Sequence, residues 1–182
     1  MFNELLVRIT EQLDKHSIPY MVIGGQAVLL YGEPRFTRDI DITLGIDIDE
    51  LLKIKQVIQT LSLRPLIENV DEFVSETRAL PVLDESTGLR VDFVFSFIAF
   101  ERQAIDRAAK IKVGNYHVKY VSVEDLIIYK LVAGRPIDIE DVKNVVRKNP
   151  AFDKKYVTRW LKDFQDVLNK PLLETFEGAM RD

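Results

Sequence analysis

Residues 39–44 read Asp39-Ile40-Asp41-Ile42-Thr43-Leu44, and this stretch decides the fold. Successive side chains of a strand point to opposite faces, so Asp39 and Asp41 share one face and the isoleucines take the other. Two carboxylates about 4 Å apart repel by about 4 kcal/mol at an effective dielectric of about 20, which favours a proton or a cation between them. Hard ions such as Mg²⁺ prefer carboxylate oxygens. The stretch therefore predicts a strand that carries a metal and phosphate site; a solvated edge strand with an acidic outer face is the alternative.

A third carboxylate lies in the apolar stretch Val91-Asp92-Phe93-Val94-Phe95. Aspartate is rarely buried unless it is paired or binds a metal. If this stretch forms a strand beside 39–44, Asp92 joins Asp39 and Asp41. Three carboxylates around one or two Mg²⁺ ions are the usual equipment for in-line displacement at phosphorus. The alternative is an aspartate at a strand end, hydrogen-bonded to backbone.

Gly24-Gly25 follows a short apolar run at 20–23 and precedes a helical pattern at 26–31. Glycines in such a place let backbone amides approach a phosphate closely, with a helix N-terminus behind them. On its own the pair is more typical of a tight turn than of a phosphate site.

Three polar residues precede the acidic strand: Arg35, Thr37 and Arg38. A guanidinium there would neutralise phosphate charge, and a threonine hydroxyl would bond a phosphate oxygen. We favour this role for Arg35 and Thr37 over Arg38. The alternative for either arginine is a salt bridge to a nearby acid.

Lys130 lies in an apolar helical segment, where its ammonium is costly unless it reaches an anion. The alternative is that the side chain extends along the helix to water. Asp138 and Asp141 have the spacing of helix-cap acids, with orientation of Lys130 or Arg135 as the functional alternative.

Composition is that of an ordinary globular chain: 182 residues, 47% apolar and 30% charged. A net charge of −4 shows no large basic footprint for nucleic acid. The chain contains no cysteine, which excludes disulfides and thiolate metal sites. No apolar run approaches the roughly 20 residues of a membrane span, and the N-terminus does not resemble a signal peptide. We therefore expect a cytoplasmic protein without a membrane partner.

Periodicity predicts an α/β core at 1–121 and a helical C-terminal part at 122–182 packed on it. Capping-box patterns at Asp47/Glu50 and Ser122/Asp125 predict two helix starts. The predicted strands are 20–23, 39–44, 77–83, 89–96, 110–113 and 116–121. The predicted helices are 2–16, 26–31, from the cap at 47 to 61, 98–109, from 123, 138–148 and 153–168.

The motifs together resemble the DNA polymerase β-like nucleotidyltransferase superfamily: Gly24-Gly25, 13 further residues, Asp39-Ile40-Asp41-Ile42, then Asp92 within 91–94. Segments 22–27 and 34–41 are similar to its minimal prokaryotic branch, which includes the AbiEii-type toxins. The resemblance covers 20–95 well and extends loosely to 145. It implies an α+β nucleotidyltransferase fold, a mixed β-sheet flanked by helices with a helical C-terminal part.

The resemblance also implies a chemistry. Asp39 and Asp41 would hold Mg²⁺ or Mn²⁺ on a nucleoside triphosphate, and Asp92 would hold a second ion and help deprotonate the attacking hydroxyl. Gly24 and Gly25 would contact the phosphates through backbone, and pyrophosphate would leave. Because 126–141 resembles a stretch of the same branch, nucleotide binding would also involve Lys130 and Arg135, in addition to Arg35 and Thr37.

The resulting hypothesis is a metal-dependent nucleotidyltransferase acting on an acceptor hydroxyl of a tRNA, a protein or a small molecule. One version is the toxin of a toxin–antitoxin pair, with a cognate antitoxin or regulator as partner. The alternative is a catalytically inactive nucleotide-binding or partner-binding module of the same fold. Clustered acids with no role would be costly in an apolar site, which argues against the module.

Overall fold

The computed structural model describes residues 1–37 and 39–181, so Arg38 lies outside the described residues. Two compact units are present. The first unit comprises Met1–Gln26 and Phe36–Val121, and the second comprises Ala27–Arg35 and the residues from Ser122 onward. The nine-residue segment before the acidic strand thus groups with the C-terminal helices.

Among the described residues of the first unit, seven strands form one mixed sheet, in the order β3-β4-β5-β2-β1-β7-β6. The parallel pairs are β2/β5 and β1/β7, and the other neighbours are antiparallel. The strands are β1 (Tyr20–Ile23), β2 (Asp39–Leu44), β3 (Arg64–Pro65), β4 (Ala79–Asp84), β5 (Leu89–Phe95), β6 (Ala109–Val113) and β7 (Tyr116–Tyr120).

Nine α-helices accompany the sheet in the part of the chain that the structure describes. They are α1 (Phe2–Lys15), α2 (Gly24–Tyr31), α3 (Leu51–Thr60), α4 (Val70–Thr77), α5 (Ala99–Asp106), α6 (Val123–Ala133), α7 (Pro136–Lys148), α8 (Lys154–Leu168) and α9 (Leu172–Arg181). The expected α+β fold with a mixed sheet and a helical C-terminal part is confirmed.

The core of the first unit is built on one face of the two central strands. Ile40 and Ile42 of β2 and Val91 and Phe93 of β5 are fully buried there. Helix α1 adds its apolar stripe, which comprises Leu5, Leu6, Ile9 and Leu13. Each such side chain contributes about 1.5–3 kcal/mol by leaving water, whereas the acidic residues of β2 and β5 lie on the opposite face of these strands.

The second unit has its own apolar core. It buries residues of α6, α7, α8 and α9, among them Ile127, Val145, Leu161 and Phe176. Ser122 is the N-cap of α6 as predicted, since its hydroxyl accepts a hydrogen bond from the Asp125 backbone at 3.1 Å. No helix among the described residues is both long and apolar enough to cross a membrane.

Several predicted boundaries are corrected by the structure. The helix predicted at 26–31 begins at Gly24. Asp47 is an N-cap as predicted, since its carboxylate accepts from the Ile48 backbone at 2.6 Å. It caps a 3₁₀ turn at Ile48–Glu50, however, and α3 begins only at Leu51. Three elements were not predicted, namely β3, α4 and α9.

Candidate active site

Three aspartates share one face of the parallel pair β2 and β5. The register sets Asp41 directly opposite Asp92 and Asp39 opposite Arg90. Neighbouring strands lie about 4.8 Å apart, so residues more than fifty positions apart in sequence become neighbours. Asp39 is exposed, and Asp41 and Asp92 are half-buried. We call Asp39, Asp41, Asp92 and Arg90 together the acidic patch.

Arg90 is the member of the acidic patch that sequence reasoning missed. Its Nε atom donates a hydrogen bond to Asp92 Oδ1 at 2.9 Å. This hydrogen bond, reinforced by the charges of Asp92, Asp39 and Asp41, raises the pKa of the Arg90 guanidinium above its usual range. The signal was available, because Arg90 stands two residues before Asp92 and must share its face of the strand.

Gly24 brings the chain close to Asp41. Its φ angle of +67° lies in the left-handed region, which costs a residue with a Cβ roughly 1–2 kcal/mol. A Cβ at Gly24 would also lie only 2.7 Å from the Asp41 Cγ atom, and nearer still to a carboxylate oxygen. Glycine is therefore required here on two independent grounds.

Gly25 makes a second close approach, to Thr37. A Cβ at Gly25 would lie 2.5 Å from the Thr37 Oγ1 atom and 2.8 Å from its Cβ. The first unit thus brings together Gly24, Gly25, Thr37 and the aspartates of the acidic patch, which are six of the nine site residues predicted from sequence.

The other three predicted residues belong to the second unit, where they form a chain of ion pairs. Lys130 is buried, and its ammonium lies 2.8 Å from Asp138 Oδ1 and 2.9 Å from Asp141 Oδ2. Arg35 donates to both Asp141 oxygens, at 3.0 and 3.1 Å. Arg135 donates to both Asp138 oxygens, at 2.6 and 3.1 Å. We call this arrangement the ion-pair chain.

The ion-pair chain accounts for the cost of burying Lys130, since two carboxylates face its ammonium. Asp138 has the cap role expected for it: it is the third residue of α7, and its Oδ2 accepts from the Arg135 backbone at 3.2 Å. Asp141 does not, because α7 begins at Pro136 and Asp141 lies beyond its first turn. The ion-pair chain contains three cations and two carboxylates, so these five side chains have a combined formal charge of +1.

Asp138 stays ionised although it is fully buried. Burial raises its pKa, but the hydrogen bonds from Arg135 and Lys130 and their charges outweigh burial, so the pKa of Asp138 lies below its usual value. The carboxylate is therefore available to hold both cations at any ordinary pH.

The acidic patch offers the donor chemistry of a magnesium site, namely carboxylate oxygens on a half-exposed sheet face. Asp39, Asp41 and Asp92 are the residues that would hold the ion. In the present arrangement Asp92 is bound to Arg90, and within residues 1–37 and 39–181 no three acidic, histidine or cysteine side chains are gathered as ligands of one ion. The residue types and the strand register fit such an ion. Binding of the ion by Asp92 would require this carboxylate to give up its hydrogen bond with Arg90.

A family comparison decides the class of this fold. The profile described as "Nucleotidyltransferase of unknown function (DUF6036)" matches residues 1–153. The chain belongs to this family. The matched range contains every site residue predicted from sequence, including Lys130 and Arg135 at its C-terminal side. No curated protein matches the nucleotidyltransferase chain.

Solved structures share the fold of this nucleotidyltransferase. It is similar to the antibiotic-resistance factor ANT(2'')-Ia, with a TM-score of 0.63, 16% identity and 92% of each chain covered. It is also similar to the lincosamide adenylyltransferase LnuA in its lincomycin-bound form, with a TM-score of 0.55, 18% identity, and 78% of this chain and 94% of LnuA covered. An antigenic nucleotidyltransferase-like protein from Paracoccidioides brasiliensis has a TM-score of 0.55, 17% identity, and 96% and 90% coverage.

Proposed function

We propose that this nucleotidyltransferase transfers a nucleoside monophosphate from a nucleoside triphosphate to an acceptor hydroxyl. The observation that carries the proposal is the β2/β5 register, which sets Asp41 opposite Asp92 with Asp39 on the same face. These three carboxylates would hold Mg²⁺ or Mn²⁺, which when bound would neutralise charge on the triphosphate. The close approach of Gly24 to Asp41 supports the same assignment, because it keeps backbone beside the carboxylates.

In the proposed reaction the acceptor oxygen attacks the α-phosphorus. The bond from that phosphorus to the bridging oxygen of pyrophosphate breaks, and Asp92 takes the proton of the acceptor hydroxyl. Gly24 and Gly25 present backbone amides to the phosphates, and the Thr37 hydroxyl bonds a phosphate oxygen.

The proposal gives nucleotide-binding roles to Arg35, Lys130 and Arg135. Arg135 is 69% exposed and Arg35 is 28% exposed, so an anion can reach both guanidiniums from solvent. Arg35 uses its Nε and Nη2 atoms on Asp141, and a guanidinium carries five N–H donors in all. Lys130, bound between two buried carboxylates, would act chiefly by holding the other members in position.

The acceptor is proposed by class. ANT(2'')-Ia has been solved with adenylyl-2''-tobramycin, with a TM-score of 0.61 and 17% identity to this chain, and LnuA with lincomycin. A small hydroxylated molecule is therefore one candidate, and a tRNA or a protein is another. The proposal also includes membership of the AbiEii-like branch and a cytoplasmic site of action. It further includes a toxin role, with a cognate antitoxin or regulator as the partner.

The test is release of pyrophosphate from each nucleoside triphosphate in the presence of Mg²⁺ and a panel of tRNA, protein and aminoglycoside acceptors. Wild type is expected to release pyrophosphate and to label one acceptor class, and Asp41→Asn to do neither. Metal-dependent nucleotide binding without turnover on any acceptor would instead identify an inactive nucleotide-binding module.

A further inference from the structure

The acidic patch holds its own cation. Arg90 stands opposite Asp39 in the β2/β5 register and on the same face as Asp92, its hydrogen-bond partner. Three carboxylates and one guanidinium therefore occupy the four corners of the patch. The formal charge is −2 with Arg90 in place and −3 without it.

The Arg90 side chain is exposed enough to move away from Asp92 as well as to bind it. It is 49% exposed, whereas Asp92 is 21% exposed. A guanidinium with half its surface in water is held by charge and one hydrogen bond rather than by packing, and ion pairs of this exposure add little net stability. It can therefore turn to solvent when another cation takes its carboxylate.

We propose that Arg90 is the internal counter-ion of the acidic patch, which binds Asp92 in the metal-free protein and competes with a divalent cation for that carboxylate. This inference rests on the function proposed above, because it takes the patch to be a metal site. Arg90 acts through Asp92, so it is a positioning residue, and it sets the affinity with which the patch takes up the ion.

Two consequences follow from the competition. Without a divalent cation, loss of Arg90 removes the guanidinium that is paired with Asp92 and leaves this carboxylate opposite Asp41, so the protein becomes slightly less stable. With the cation bound, Arg90 has already left Asp92, so its loss no longer matters. A merely structural arginine would contribute the same stability in both conditions.

The first experiment measures Mn²⁺ alone binding to the full chain by calorimetry and by the spin-resonance signal of free Mn²⁺. Arg90→Gln is expected to bind Mn²⁺ about fivefold more tightly than wild type, the change that corresponds to roughly 1 kcal/mol. Arg64→Gln is the matched control, because Arg64 is 52% exposed and pairs with Glu85, which is not a member of the acidic patch. It should bind as wild type does, and Asp41→Asn should not bind.

The second experiment compares melting temperatures with and without saturating Mn²⁺. Arg90→Gln is expected to melt below wild type in chelator and together with it in Mn²⁺. Unchanged Mn²⁺ affinity in Arg90→Gln, with binding still lost in Asp41→Asn, would overturn the counter-ion role and leave the proposed function intact. Absence of Mn²⁺ binding in wild type and Arg90→Gln alike would overturn both.

Discussion

Gly24 lies so close to Asp41 that a Cβ on the glycine would come within 2.7 Å of the carboxylate carbon. Gly24 directly follows β1, and the last residue of β1, Ile23, pairs with Asp41 in the neighbouring strand β2. The turn into α2 therefore starts beside a carboxylate. This relationship ties the backbone conformation of the Gly24-Gly25 turn to the position of one member of the acidic patch.

Gly24→Ala is expected to disturb Asp41 as well as the turn. The left-handed φ alone costs about 1–2 kcal/mol, and the clash adds to it by displacing the carboxylate. The matched control is Gly88→Ala, because Gly88 has a φ of +70° and nothing within 4 Å of an added Cβ. Both variants should lose stability in urea unfolding, but Gly24→Ala should lose more and should also lose Mn²⁺ binding. Equal losses, with Mn²⁺ binding retained, would show that the Gly24–Asp41 approach has no role in the site.

Lys130→Met is expected to destabilise the second unit strongly. The methionine preserves most of the volume but leaves Asp138 and Asp141, both buried, with one cation fewer. Removing one partner of a buried ion pair typically costs about 3–5 kcal/mol. Urea unfolding followed by circular dichroism measures the loss directly.

A matched control for Lys130 is Lys53→Met. Lys53 on α3 pairs with Glu50, and the lysine is 48% exposed. Such a pair contributes about 0.5 kcal/mol or less, so this variant should unfold nearly as wild type does. A stable Lys130→Met protein with sharply weakened nucleotide binding would show instead that the ammonium serves the phosphate and not the fold.

Strands β1 and β2 could be predicted from sequence to the residue, whereas β5, which was predicted at 89–96, ends at Phe95. Alternation of acid and isoleucine gave β2 as 39–44, and the apolar run before Gly24 gave β1 as 20–23. Helix α4 was missed although Val70, Phe73 and Val74 recur at helical spacing, because the helix has only eight residues and the pattern ends after one turn. Helix α9 did carry a readable period, since it buries Leu172, Phe176 and Ala179 at helical spacing.

The ion-pair partners of Lys130 and Arg35 were harder to predict from sequence. Lys130 and Asp138 lie eight residues apart, near enough for the sequence to suggest that the acid orients the lysine. Arg35 and Asp141 are 106 positions apart, and no local pattern encodes their contact. It depends on the segment Ala27–Arg35 grouping with the C-terminal helices, which is a property of tertiary packing.

Stability at low pH should depend on Asp138. Its pKa is lower in the folded protein than the usual value of about 3.9, so it stabilises the fold fully above about pH 4. That contribution is lost as the pH falls through the folded-state pKa, because the unfolded chain then takes up the proton first. Urea unfolding of wild type and Asp138→Asn between about pH 6 and pH 3 tests this. The variant should be less stable at the upper end, and the gap should narrow below about pH 4. Parallel profiles would contradict the assignment.

Asp41→Asn separates a functional acid from a structural one. In the metal-free protein Asp41 faces Asp92 across the strand pair, and like charges directly opposite destabilise a sheet. Asparagine removes that repulsion and keeps the shape, so the melting temperature should stay the same or rise. Functional acids commonly trade stability for activity in this way, whereas loss of a structural hydrogen-bonding acid would cost about 1–3 kcal/mol. The measurement is a melting curve of wild type and variant, each with and without Mg²⁺ and a nucleoside triphosphate. Wild type should gain stability from the pair of ligands and the variant should not. A variant that melts several degrees lower and still responds to them would remove Asp41 from the active site.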